Sequence, residues 1–90
     1  MPQSVESFVV AIIDTQTNSP VGTGFVVSSA GHIVSAYHVI QQAIGVSSNT
    51  QLNDNIALNV RFGSVGITRQ AAFLKESSDR DADTSHEIVR

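Results

Sequence analysis

The longest apolar run in this sequence, Phe8 to Ile13, is six residues long, and the turn-forming stretch Asp14-Thr15-Gln16-Thr17-Asn18-Ser19-Pro20 follows at once. A run this short falls far below the roughly 20 residues that span a bilayer as a helix. Its β-branched content and polar boundaries suit a buried strand. The same alternation of short run and turn repeats. Val21 to Ser28 reads as a second strand with Gly22 and Gly24 at its start. Ser29-Ala30-Gly31 makes a tight turn in which Gly31 supplies positive φ, and His32-Ile33-Val34 makes a third strand. Two hairpins so early in the chain lead to antiparallel β structure.

The period then switches. Val39, Ile40, Ala43 and Ile44 share one helical face, with Ser35 as the N-cap and Gly45 as the C-terminal stop. A polar loop runs from Ser47 to Asn55, and Ile56 to Phe62 alternates apolar and polar from Leu58 onward. Gly63 to Gly66 turns the chain into a fifth strand, Ile67 to Leu74. After that, Glu76 to Glu87 holds a single apolar residue, Ala82, a composition that cannot bury itself. The expected organisation is a β-barrel portion over residues 1–74 and a polar, mobile tail over residues 75–90. Without closure, such a sheet leaves edges through which the chain can self-associate.

Ninety residues suffice for one small domain with a modest core. The net charge of −3 and five unclustered Lys or Arg residues argue against a nucleic-acid partner. No cysteine is present, which removes disulfides, thiolate metal sites and a cysteine nucleophile. No pattern calls for a cofactor or for a membrane. The run Phe8 to Ile13 lacks the basic leader and small-residue cleavage site of a signal peptide. A cytoplasmic location is therefore expected, or a secreted or periplasmic one if a leader has been removed.

The chemistry-bearing stretch is Gly22-Thr23-Gly24-Phe25-Val26-Val27-Ser28-Ser29-Ala30-Gly31-His32-Ile33-Val34-Ser35-Ala36-Tyr37-His38-Val39-Ile40. It resembles the trypsin-like serine peptidases, most closely the HtrA/Do-like group and related bacterial domains. Their pattern is a Gly-x-Gly-Phe strand, a turn with Gly, a short apolar strand, and a small or hydroxyl residue shortly before His-Val. The resemblance covers about residues 5 to 74 and implies an all-β fold: a partial trypsin-like antiparallel barrel of five to six strands, with one short helix after the histidine-bearing strand. It also implies that His38 is the catalytic base. A serine hydroxyl is a poor nucleophile near neutral pH and needs a positioned base, a task suited to histidine with its ordinary pKa of about 6.5.

In the resembling family an aspartate orients the histidine and opens a strand of the form Asp-apolar-Ala-apolar-Leu. Following Ala71 to Leu74 and the polar turn Ser77 to Arg80, that resemblance makes Asp81 the candidate, with Asp79 and Asp83 as rivals. Asp83 and Thr84 stand where an apolar strand should continue. The family's nucleophile motif, Gly-x-Ser-Gly-Gly, does not occur, and Gly63-Ser64-Val65-Gly66 reads as a hairpin turn. The expected function is therefore that of the N-terminal part of a trypsin-like serine endopeptidase acting on polypeptides. It would hold the base but not the serine, and so be inactive alone. The alternative is a non-catalytic β domain that binds a protein partner by strand addition. A third reading takes the loss of apolar residues after Leu74 as a truncation or altered reading frame. His32 reads as a solvent-facing strand residue, and His86 near Asp83 and Glu87 as a chance cluster. Tyr37, bulkier than the family's usual alanine, is expected to reshape the entry to the site. Gly22 and Gly24 read as backbone-geometry residues.

Overall fold

A computed structural model describes residues 8–63 and 66–90. Six strands form a closed antiparallel barrel: β1 (Val9–Ile13), β2 (Pro20–Val26), β3 (His32–Ser35), β4 (Ala57–Phe62), β5 (Ile67–Phe73) and β6 (Ser85–Val89). Their order around the barrel is β1-β2-β3-β6-β5-β4. One helix, α1 (Tyr37–Ile44), follows β3 directly, and a short 3-10 turn (Lys75–Ser77) precedes β6. Among the described residues the fold is all-β with a single short α-helix after the histidine-bearing strand.

Period-two alternation sends every second side chain inward. Val10 and Ile12 of β1, Ile33 of β3, Leu58 and Val60 of β4, and Ala71 and Phe73 of β5 fill the interior together with Val39, Ile40 and Ala43 of α1. Gly22 and Gly24 work by absence. A Cβ on Gly22 would stand 2.5 Å from a Val39 methyl, and one on Gly24 2.8 Å from an Ile33 methyl. The bare backbone of β2 therefore lets α1 settle against the sheet, which fixes the height of the residue beside Val39, namely His38. At the far end of the helix, Gly45 takes the left-handed conformation (φ 78°), and its N–H reaches back to the last carbonyls.

Three expectations fail. The segment 75–90 is not a free tail, because Ser85–Val89 is a strand paired with β3 on one side and β5 on the other. Composition argued against this. It underrates two ladders of backbone hydrogen bonds, and it does not foresee that Ser85 and Glu87 find polar partners inside. With β6 in place the barrel closes, so the open edges on which strand addition and self-association rested are gone. Ser35 is not the helix N-cap either: that position is Ala36, with no side-chain cap of its own, while Ser35 points into the barrel. Of the Gly63 to Gly66 turn, Ser64 and Val65 lie outside the described residues. The strands that flank it pair Phe62 with Ile67.

Candidate active site

His38 is the second residue of α1, and the first turn of a helix leaves its N–H groups without intrahelical acceptors. Asp83 supplies what Ala36 cannot. Its carbonyl accepts the Tyr37 N–H at 3.2 Å, and its Oδ1 accepts the His38 N–H at 2.9 Å. The second carboxylate oxygen, Oδ2, lies 2.7 Å from His38 Nδ1. A carboxylate can only accept, so Nδ1 carries a proton and donates it, and in the neutral ring the free lone pair is then on Nε2. Asp83 thus caps the helix and orients the ring at once.

The backbone explains how Asp83 reaches this place. It sits at φ 55°, a left-handed conformation that Asp tolerates better than most residues, in the turn that feeds β6. Ahead of it, Asp79 ties the turn by accepting the N–H groups of Asp81 and Ala82 at 2.9 and 3.3 Å. The Asp83 carboxyl is held below its ordinary value. The His38 backbone N–H contributes most, followed by the His38 side chain, with slight burial opposing. Both side chains remain open to solvent, at 61% for His38 and 50% for Asp83.

Asp81, the aspartate the resemblance favoured, points elsewhere. It is 90% exposed and lies 3.8 Å from Arg80 Nε. Asp79 is occupied with its own turn and with a bridge to Thr84. The signal for Asp83 was in the sequence, since two-residue spacing runs from Asp83 through Ser85 to Glu87. Ser85 and Glu87 stand where the pattern calls for Ala and Leu, and this disguised the strand.

The surroundings of the pair are set by neighbouring side chains. Tyr37 does not reshape the entry: it is buried, its ring meets Phe73 edge-on at 5.7 Å, and its hydroxyl accepts the Leu52 N–H at 2.8 Å. Gln41, also buried, donates from its amide to the carbonyls of Ser48 and Thr50 at 3.1 and 2.9 Å. Helix and loop are locked together in this way. Between them lies an open depression of about 240 Å³ lined by His38, Gln41, Gln42, Val46 and Ser48. His32 is engaged with Ser28, whose Oγ lies 2.8 Å from its Nδ1. His86 forms no metal-holding group with Asp83 and Glu87: no set of three or more metal-capable side chains occurs among the described residues. No family model and no curated protein matches this chain.

Proposed function

We propose that this chain is the N-terminal barrel of a trypsin-like serine endopeptidase, with His38 as general base and acid and Asp83 as its orienting partner. The observation that carries the reading is the two-point contact of Asp83 with His38, through Oδ1 to the backbone N–H and Oδ2 to Nδ1. That contact fixes the tautomer that a hydroxyl-activating base needs, with the other ring nitrogen free. The chain order, His before Asp, agrees with the order in this class of peptidase. His38 would take the proton of a serine hydroxyl as it attacks a peptide carbonyl, then return it to the leaving amine. The imidazolium formed between these steps would be stabilised by the Asp83 carboxylate. The serine, the oxyanion hole and the specificity pocket are not among these residues. The reading assigns them to a second barrel, and the 90 residues alone are not expected to hydrolyse peptides.

The test is fluorophosphonate labelling of the complete gene product, repeated on His38→Ala. Covalent labelling that is strong in the parent and lost in the variant is the expected result. Equal labelling of both would remove His38 from the chemistry. A non-catalytic binding domain is the second reading. It draws support from Phe25 and Val27, large apolar residues that stand more than half exposed, at 53% and 58%. Reading the coding sequence beyond Arg90 separates the two, because only the peptidase reading requires a Gly-x-Ser-Gly downstream.

A further inference from the structure

On the barrel side of the two strands that lead to the His38–Asp83 pair sit three polar side chains that the proposed chemistry does not use. Ser35 lies on β3 three residues before His38, and Ser85 and Glu87 lie on β6 two and four residues after Asp83. All three are buried, Ser85 and Glu87 completely. Ser35 Oγ donates to Glu87 Oε1 at 2.9 Å and lies 2.7 Å from Ser85 Oγ. Glu87 Oε2 has no hydrogen-bond partner.

No cation answers this carboxyl. On β3 it faces Ser35 and Ile33, on β5 it pairs with Phe73, and on its own strand it shares a face with Ser85. His32 and His86 lie on the outward face by alternation, and Arg69 of β5 and Lys75 of the 3-10 turn are exposed or half-exposed. The buried Tyr37 hydroxyl is taken by the Leu52 N–H. Among the described residues the ion pairs are His38–Asp83 and Arg80–Asp81, neither of which includes Glu87.

We propose that Glu87 is a positioning residue for the His38–Asp83 pair and acts as a proton-controlled latch. With its carboxyl neutral, Glu87, Ser35 and Ser85 hold the β3–β6 seam shut; loss of the proton opens the seam and parts Asp83 from His38. The proposal rests on the pairing of these two residues and not on the peptidase reading.

The physical basis is the penalty for a bare charge in hydrocarbon. An ionised Glu87 would leave one charged oxygen with no donor at all, and only water can relieve it. The seam itself is short enough to admit it, four residue pairs from His32–Ile88 to Ser35–Ser85. Asp83 hangs from the end of that seam, so opening it displaces the carboxylate that caps α1 and holds the ring. In agreement, burial pushes the Glu87 carboxyl up to about 7, with the two serine hydroxyls offsetting part of the rise.

The test is amide hydrogen exchange across pH, with protection factors corrected for intrinsic rates, on this chain and on Glu87→Gln. The His38 N–H and the β3–β6 amides report on the latch, and the β1–β4 amides serve as reference. Between pH 5 and 8, seam protection in the parent is expected to fall about tenfold or more relative to the reference. In Glu87→Gln the ratio is expected to stay level. Any titration of the pair itself is common to both proteins and cancels. Glu87→Leu, which restores the hydrocarbon of the resembling pattern, serves if the glutamine variant fails to fold. An equal fall in parent and variant, or no fall in the parent, would each overturn the latch.

Discussion

Where β1 meets β4 the inner layer of the barrel is hydrocarbon: Val10, Ile12, Leu58 and Val60 are buried without a polar atom among them. Where β3 meets β6 the same layer holds Ser35, Ser85 and Glu87. The first wall is stabilised by an effect that is indifferent to pH and to direction. The second depends on hydrogen bonds with fixed geometry and on one proton. The His38–Asp83 pair hangs from the second wall, so its assembly inherits the sensitivity of that wall while the rest of the barrel serves as a rigid frame.

Removing hydrocarbon from the first wall is expected to have the largest effect. Ile12→Ala should lose about 2–5 kcal/mol in urea unfolding, with the same loss at pH 5 and pH 8. A loss that varied with pH would break the contrast between the walls.

Next comes the proton on the second wall. The folded state holds the Glu87 proton to about 7 against an ordinary value of 4.5, so it binds more protons than the unfolded chain between these limits. Stability is then fully present below 4.5 and is lost as pH rises through about 7, by about 3 kcal/mol in all. Urea midpoints recorded from pH 4.5 to 8.5 should fall in the parent and run nearly level in Glu87→Leu. A parent midpoint that rises over that range would contradict the sign.

A smaller effect is expected from Ser35→Ala, about 1–3 kcal/mol, because it withdraws a hydroxyl that donates to Glu87. The same substitution should steepen the decline with pH, since less remains to support the ionised form. Urea unfolding at pH 5 and pH 8 measures both.

The barrel's five early strands were legible because each is a short β-branched run bounded by turn residues, and α1 was legible from the spacing of Val39, Ile40 and Ala43. His38 stood out because the features around it agree with a known pattern. β6 was not legible, because a strand that buries Ser85 and Glu87 has the composition of a solvated tail. Its stabilising partners, Ser35 and the β3 backbone, lie some fifty residues away in sequence. Asp83 went unassigned for the same reason, since an aspartate that opens a strand cannot be chosen until the strand is seen. Ser35 looked like a helix cap because local rules favour serine there, yet a distant carboxylate took the cap and a distant carboxyl took the serine.

The contact between Asp83 and His38 is open to direct measurement by carbon-detected NMR titration of the Asp83 carboxyl, in this chain and in His38→Ala. In the parent, Asp83 should titrate below its ordinary value of 3.8, and in the variant it should move part of the way back up, since the ring is gone while the backbone N–H that lowers it most remains. An Asp83 titration that is the same with and without the imidazole would mean that the two side chains do not meet in solution, and the site described here would not exist.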